Sequence, residues 1–346
     1  MVLRLLPLFL LTLLLGCQRK VSLNISAYDG YINHEVRTKF KEIIKEKYHL
    51  DVEIKVIPPK NNNEIGKILS EERADIIQLS QFLFKDKRLN LFEERKVLEI
   101  DINQVSNYSQ VEEIIKSQSF NKYKNGVYGI PLAKYLYRLA YNSKNVQAPD
   151  SWSVLLNKKA SKRYMLSNYH KESNIYLAAL LTTPPKELSL TDHRTYDPSF
   201  YNIIRQLKEN SFSFWEEVEP SIFDSNLDYM TLLGSSLESE NSEWKFAKTK
   251  EGVIGSIDYF VLSSGLKNDK LKKKIAYEWL NFTLTKYFQV QIIANIVQDM
   301  PIISDIDPHL TTEQRTRNQV SDLKIIFPGA RTKSEELWQR DIWNKL

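Results

Sequence analysis

The sequence predicts an α/β fold divided into two lobes, and three observations lead to that prediction. Segments with strand periodicity and segments with helical periodicity alternate along the chain. The residues from 17 to 346 are more than one typical small domain contains, and they suffice for two. Hydrophobic residues make up 42% of the chain and aromatic residues 11%, so each lobe can bury a core of its own.

The chain from residue 21 to residue 79 is predicted to alternate between strand and helix. Apolar side chains recur at helical spacing over residues 36–48 and 64–72, and three strands are predicted around them, at 21–28, 51–57 and 75–79. Strands joined by helices form a parallel sheet with right-handed crossovers. Ligands bind beyond the carboxyl ends of such strands. Here those ends are residues 28–31 and 80–82.

The rest of the chain carries two more β-rich segments and several helical ones. The β-rich segments are 128–142 and 253–263. A turn at 149–152 is predicted to open a helix. Apolar residues at helical spacing predict further helices at 172–181, 201–208, 276–284 and 286–296.

The first 16 residues have the features of a bacterial lipoprotein signal peptide. Arg4 precedes the apolar run 5–15, which is too short to cross a bilayer, since that takes roughly 20 apolar residues. Residues 14–17 (LLGC) resemble the lipobox, whose cysteine carries acyl chains such as palmitate. Cys17 is the only cysteine, so lipidation leaves no spare thiol in an oxidising compartment. The alternatives are an ordinary signal peptide with an incidental cysteine, or a membrane-spanning anchor.

Charge and motifs exclude several other classes of protein. The formal net charge is +5 and the basic residues are scattered, which argues against a nucleic-acid partner. The lysine-rich run 267–274 is interpreted as a solvated helix start. The chain has no glycine-rich phosphate loop, no metal-ligand spacing of histidines and no GxSxG elbow. We therefore expect no catalysis, no cofactor and no metal.

Several short motifs follow one another in a characteristic order. They are YDGY at 28–31, YGIP at 128–131, AYN at 140–142, PDSW at 149–152, ID at 257–258 and MP at 300–301. Taken in this order, they resemble the extracellular solute-binding proteins of ABC importers, and in particular the spermidine/putrescine-binding branch. No single motif is specific, but the ordered set spans most of residues 21–345.

The resemblance implies the type 2 periplasmic-binding-protein fold, with a ligand cleft between two lobes. Residues 130–142 and 253–263 would be the two crossing strands that form the hinge. The implied division of the chain is signal peptide 1–16, lipidated N-terminus and linker 17–20, lobe 1 at 21–131 plus 259–320, lobe 2 at 132–258, and a C-terminal segment 321–346 that packs on the lobes. Closure of the hinge would bury the solute.

The same resemblance implies the function and the partners. The chain would be a monomer that captures a small solute, with spermidine or putrescine favoured, and delivers it to the permease of an ABC importer. Lipid on Cys17 would anchor it outside the cytoplasm of a bacterium, in the periplasm or at the cell surface. A sensor or adhesin with the same fold is the alternative. A surface enzyme on this fold is opposed by the missing catalytic residues.

Carboxylates and aromatic rings are the groups that bind a polyamine, which is an apolar chain with ammonium ends. Asp258 matches the cleft aspartate of the family, and Glu172 lies where the family supplies an acid from lobe 2. Trp244 would be a stacking platform. The full set of candidate ligand-binding residues is Tyr28, Asp29, Tyr31, Ser80, Phe82, Glu172, Trp244 and Asp258. The alternatives are core packing for the tyrosines and a turn or surface ion pair for Asp258.

Some aromatic positions of the family are replaced in this chain. Ser256, Gln298 and Leu232 stand where the family has a tryptophan, a tyrosine and a second tryptophan. Fewer aromatic faces weaken cation–π recognition. The sequence therefore leaves open a different small cation or another polar solute.

The signal-peptide interpretation makes a direct prediction about Cys17. Because acyl chains on this residue would hold the protein to the membrane, Cys17→Ser in the full chain should move it from the membrane fraction to the soluble fraction. Cell fractionation and immunoblotting of both proteins measure this. Retention of the variant in the membrane fraction would mean that the anchor is something else.

Overall fold

A computed structural model describes most of residues 20–346. The described residues are 20–168, 171–182, 198–215, 226–234, 243–296, 299–312, 314–315, 320, 322–329 and 343–344. The predicted signal peptide and Cys17 lie outside them. Among the described residues, no helix is long and apolar enough to cross a membrane.

The N-terminal half forms the predicted parallel sheet. Strand β1 lies between β2 and β3 and pairs with both in parallel. Each of the two helices begins at an asparagine cap, because Asn33 and Asn61 accept hydrogen bonds from the backbone three residues on. The elements are β1 (Lys20–Ser26), α1 (His34–Tyr48), β2 (Asp51–Val56), α2 (Asn62–Ser70) and β3 (Ile76–Ser80).

Two long antiparallel strands cross the middle of the molecule, as predicted. They are β6 (Ile130–Asn142) and β11 (Val253–Leu262), and β11 also pairs antiparallel with β3. The sheet therefore runs β2-β1-β3-β11-β6. Beyond β6 it continues with β9 (Tyr229–Leu233), β7 (Tyr164–Ser167) and β8 (Ser213–Trp215), while β10 (Trp244–Phe246) pairs with β6 and β12 (Ile325–Ile326) pairs with β11. We call the half built on β1–β3 lobe 1 and the half built on β7–β10 lobe 2.

The sequence patterns missed most of the strands of lobe 2. These strands are three to five residues long, too short for a clear alternation of apolar and polar residues. The helices of this lobe lie where they were predicted. The elements are β7 (Tyr164–Ser167), α4 (Lys171–Thr182), α5 (Pro198–Asn210), β8 (Ser213–Trp215), β9 (Tyr229–Leu233) and β10 (Trp244–Phe246).

The remaining elements complete lobe 1 and the C-terminal part. Two predicted helices have different bounds: α6 begins earlier, at Lys270, and α7 ends at Gln291, after which Ile293–Asn295 form a 3-10 turn. The predicted helix after residue 152 is a single 3-10 turn, Trp152–Leu156. The elements are α3 (Glu113–Lys116), β4 (Lys122–Tyr123), β5 (Gly126–Val127), α6 (Lys270–Thr283), α7 (Lys286–Gln291) and β12 (Ile325–Ile326).

The hydrophobic core changes along each crossing strand. On β6, Leu132 belongs to the core of lobe 1, whereas Tyr137 belongs to that of lobe 2. On β11 the order is reversed, with Ile254 in lobe 2 and Ile257 in lobe 1. The two strands thus connect two cores. The domain boundaries at 131/132 and 258/259 stay predictions.

A short C-terminal segment lies across the hinge strands, and we call residues 325–329 the C-terminal strap. Strand β12 pairs in parallel with the start of β11. The Gln81 amide of lobe 1 donates to the Pro328 carbonyl at 3.2 Å, and the Tyr176 hydroxyl of lobe 2 donates to the Gly329 carbonyl at 3.3 Å. The strap is therefore hydrogen-bonded to both lobes.

The packing of the strap on β11 leaves no room for a side chain at Gly255. A Cβ there would lie 2.6 Å from Cε1 of Phe327 and 2.7 Å from Cγ2 of Ile325. Gly255→Ala should therefore lower the free energy of unfolding by about 1–3 kcal/mol. Urea denaturation measures the loss. Gly265→Ala is the matched control, since its Cβ would meet nothing closer than 3.4 Å, and an equal loss in both variants would refute the packing argument.

Candidate ligand-binding site

One face of the sheet carries the polar side chains of the cleft. On β11, Asp258 lies opposite Ser80 of β3 and opposite Ala133 of β6, and Ser256 lies opposite Tyr135. Side chains two residues apart on a strand point to the same side of the sheet. Hence Ser80, Tyr135, Ser256 and Asp258 share one face where the two lobes meet.

Asp258 is held in place by a buried amide. Its side chain is 7% exposed, and Nε2 of Gln78 donates to Oδ2 of Asp258 at 2.8 Å. The backbone N–H of Tyr28 donates to Oε1 of Gln78 at 3.1 Å, which fixes the orientation of the amide. Burial raises the pKa of Asp258 to about 6, and the hydrogen bond from Gln78 opposes that rise.

A second buried carboxylate, Asp299, is near enough to Asp258 for their charges to interact, and it is not among the residues predicted from the sequence. Its side chain is also 7% exposed, and the Tyr31 hydroxyl donates to its Oδ2. Burial, and next the charge of Asp258, raise the pKa of Asp299 to about 8. The pKa of the Tyr31 phenol is also raised, by burial and then by the charge of Asp299.

The end of helix α7 explains how Asp299 reaches this place. The Asp299 backbone N–H donates to the Ile296 carbonyl at 3.0 Å, and the backbone of Met300 exchanges two hydrogen bonds with Lys134 on β6, at 2.7 and 3.1 Å. The Gln289 side chain also ties Ile302 to the Leu132 carbonyl, at 3.0 Å each. The predicted loop at residues 300–301 is therefore fixed to the crossing strand, and the residue before it enters the cleft.

Lobe 2 contributes an acid and an aromatic ring. Glu172 lies in the first turn of α4 and is buried. The pKa of the Tyr135 phenol is raised by burial and then by the charges of Asp258 and, to a smaller extent, Glu172. On the same helix, the Tyr176 ring stacks on Phe82 of lobe 1, with ring centroids 5.6 Å apart. The two lobes are in contact across the cleft.

The electrostatics of the two aspartates differ from those of other buried acids. Asp75, Asp86 and Asp228 each pair with a lysine or arginine. In the part of the chain that the structure describes, neither Asp258 nor Asp299 has such a partner. Only one oxygen of each accepts a hydrogen bond from a described residue. Buried carboxylates normally need a cation or several donors, so this pair is suited to a cationic ligand.

The structure brings most, but not all, of the predicted residues to this cleft. Tyr31, Ser80, Phe82, Glu172 and Asp258 lie together there. Half-buried Tyr28 contributes its backbone N–H through Gln78, as described above. The Asp29 side chain is exposed, on the turn that includes Gly30 with φ +94°.

Trp244 is not part of the cleft. It pairs with Asn142, nine residues along β6 from Ala133, which is about 30 Å along the strand. Its ring lies in a hydrophobic cluster with Met230 and Leu232. Leu232 therefore does not line the cleft either, and Gln298 lies outside the described residues.

Two signals in the sequence could have indicated the residues that were missed. Gln78 interrupts an otherwise apolar strand, and a buried polar residue needs a hydrogen-bonding partner. Asp299 directly precedes the motif at 300–301. No group of three or more metal-ligating side chains occurs among the described residues.

A comparison with family models identifies the class of protein. The model for bacterial extracellular solute-binding proteins matches residues 71–323, which is more than half of the chain. The chain belongs to this family. It is an extracellular solute-binding protein and not an enzyme. No curated protein sequence is similar enough to be matched with it.

Solved structures share the two-lobed fold of this solute-binding protein. The spermidine/putrescine ABC transporter substrate-binding protein of Streptococcus pneumoniae is 16% identical, with a TM-score of 0.69, and the match covers 94% of this chain and 97% of that one. The TpPotD lipoprotein of Treponema pallidum is 14% identical, with a TM-score of 0.60 and coverage of 94% and 98%. A GABA receptor is 12% identical, with a TM-score of 0.66 and coverage of 94% and 96%. The type 2 periplasmic-binding-protein fold is thereby confirmed.

The raised pKa of Asp299 predicts how the stability of the solute-binding protein depends on pH. Its pKa of about 8 in the folded protein is above the value of about 3.9 in an unfolded chain. The folded state thus holds the proton more tightly, so stability is lost as pH rises toward 8. In the Asp299→Asn variant the side chain at this position stays neutral at every pH, so the variant should lose less stability over the same pH range. The free energy of unfolding of the variant minus that of the wild type should therefore be larger at pH 8.5 than at pH 5.5, by at least about 1.4 kcal/mol.

Urea denaturation of both proteins at the two pH values measures this difference. Asp269→Asn is the control, because Asp269 caps α6 at the surface and asparagine caps a helix equally well. An Asp299→Asn effect of the same size at both pH values would contradict a neutral Asp299 in the folded protein.

Proposed function

We propose that this solute-binding protein captures a small organic cation with ammonium groups and delivers it to the permease of an ABC importer. The observation that carries the proposal is the pair Asp258 and Asp299, two buried carboxylates with no lysine or arginine partner among the described residues. An ammonium group supplies both the positive charge and the N–H donors that such oxygens need.

The other side chains of the cleft fit a diamine or polyamine. Glu172 adds a third carboxylate from the side of lobe 2, suited to a second ammonium group. The stacked rings of Phe82 and Tyr176 offer an aromatic surface between the lobes. The spermidine/putrescine protein of Streptococcus pneumoniae, which shares the fold, supports this ligand class. With serine at 256, recognition would depend more on carboxylates than on aromatic faces.

The two crossing strands suggest how the solute is enclosed. In this proposal lobe 1 consists of 21–131 plus 259–320, lobe 2 of 132–258, and the C-terminal segment 321–346 packs on both. Rotation of the lobes about β6 and β11 would open the cleft, and closure would exclude water from the ion pairs. Exclusion of water strengthens those ion pairs.

The location follows from the N-terminal sequence. We infer that lipid on Cys17 anchors a monomer outside the cytoplasm, beside its importer, with residues 17–20 as the linker. Two or three acyl chains suffice for stable anchoring, since each buried methylene contributes about 0.8 kcal/mol. The TpPotD protein of Treponema pallidum, which shares the fold, is a lipoprotein and supports this inference.

Binding measurements on the soluble body, residues 18–346, test the proposal. Putrescine and spermidine should stabilise it against heat, by roughly 2.7 kcal/mol at 100 times the Kd, whereas glucose and sulfate should not. Asp258→Asn should weaken binding of the diamine at least about tenfold, because removing one partner of a buried charge pair costs roughly 2–5 kcal/mol. Isothermal titration calorimetry gives both Kd values.

The surface variant Asp269→Asn should bind the diamine as wild type does. If sulfate or glucose binds and neither amine does, the solute is not a cation. Equal affinity of Asp258→Asn and wild type would remove Asp258 from the site.

A further inference from the structure

Asp258 and Asp299 are two buried carboxyl groups whose charges interact. The two carboxylates belong to different elements, β11 and the loop that is hydrogen-bonded to β6, yet the charge of one acts on the other. Both are buried, and one oxygen of each has no hydrogen-bond donor among the described residues. The Ser256 hydroxyl, in a side chain that is 3% exposed and on the same face as Asp258, likewise has no partner there.

Two neighbouring carboxylates in a buried place cannot both be ionised without a compensating charge. The groups that face Asp299 do not supply one. They are the Tyr31 phenol after β1 and Asp258 on β11. Beyond Asp258 lie the Tyr135 phenol on β6 and Glu172 on α4, and neither carries a positive charge. Lys134, whose backbone pairs with Met300, directs its ammonium group to Glu112 at 2.5 and 2.7 Å. One proton, or one bound cation, therefore has to offset the second charge.

We propose that Asp299 determines specificity in the cleft by holding a proton in the unliganded protein and releasing it when an ammonium group binds between Asp299 and Asp258. The inference rests on the proposed capture of an organic cation and extends it. In the step, the O–H bond of the neutral carboxyl breaks, its electron pair stays on the oxygen, and the proton passes to solvent. The ammonium group keeps its own protons and donates them to the carboxylate oxygens.

This arrangement selects a chemical class of ligand. The free oxygens of Asp258 and Asp299 accept hydrogen bonds, so a primary ammonium group satisfies them, whereas a quaternary ammonium group has no N–H to donate. Binding also becomes stronger as pH rises, because proton release is part of the reaction. The pair thus favours a protonated primary amine over a permanently charged but non-donating cation such as choline.

Titration calorimetry with putrescine in two buffers of different ionisation enthalpy counts the protons released. At pH 7 the wild-type protein should release roughly one proton, and its affinity should rise by up to about tenfold for each pH unit between about pH 6 and 7.5. Asp299→Asn should release close to none. It should bind at least about tenfold more weakly than wild type at pH 8.5, with a smaller gap at pH 6.5.

Two comparisons make the experiment specific. Asp86→Asn alters a buried carboxylate that pairs with Arg88 away from the cleft, at 3.3 Å, and it should keep the proton release of wild type. Choline should bind the wild-type protein at least about tenfold more weakly than putrescine does. The pH dependence of the wild-type Kd needs no variant, so a poorly folding Asp299→Asn would not prevent the test.

The possible failures are distinguishable. If neither putrescine nor spermidine binds, the proposed function fails and this inference fails with it. If putrescine binds with no proton release by wild type, or with equal release by Asp299→Asn, only the role of Asp299 is refuted. Choline binding as tightly as putrescine would likewise refute the selection of a primary ammonium group while leaving cation capture intact.

Discussion

Both lobes depend on the antiparallel pairing of β6 with β11. This pairing is the only long ladder, among the described strands, that passes from one hydrophobic core to the other. It also sets the register that puts Asp258 opposite Ser80 on one side and Ala133 on the other. The cleft is therefore built on the same hydrogen bonds that join the lobes. A displacement of one lobe relative to the other alters the distances between the charged groups of the cleft.

The two buried aspartates of the cleft differ from the other buried aspartates of the described protein in having no basic partner. Other buried aspartates, such as Asp75 and Asp228, have a basic partner in the fold. Asp258 and Asp299 have hydrogen bonds from Gln78 and Tyr31 instead. Neutral donors orient a carboxylate without cancelling its charge. The fold thus tolerates an electrostatic cost that a cationic solute would offset, and this is a common relation between stability and function in binding sites.

Family membership identifies the class of protein, whereas the side chains of the cleft indicate the class of ligand. Family membership and the shared fold establish a solute-binding protein, but proteins of this fold with about 12–16% identity include both a spermidine/putrescine-binding protein and a GABA receptor. The fold alone is therefore silent about the ligand. The ligand class has to come from the side chains of the cleft, where Asp258, Asp299 and Glu172 are buried beside aromatic rings.

The sequence by itself determined the order of strands and helices in the N-terminal sheet, the two crossing strands and the class of protein, because periodicity and ordered motifs are local properties of the chain. It also indicated Asp258, which lies on a crossing strand. Only the tertiary structure decided which distant side chains meet. It brought Asp299 to Tyr31, 268 residues away, and it put Trp244 in a core cluster about 30 Å along β6 from the cleft. The physical reason is that register between strands and the path of a loop depend on packing and hydrogen bonds between segments far apart in the chain, which no local pattern encodes.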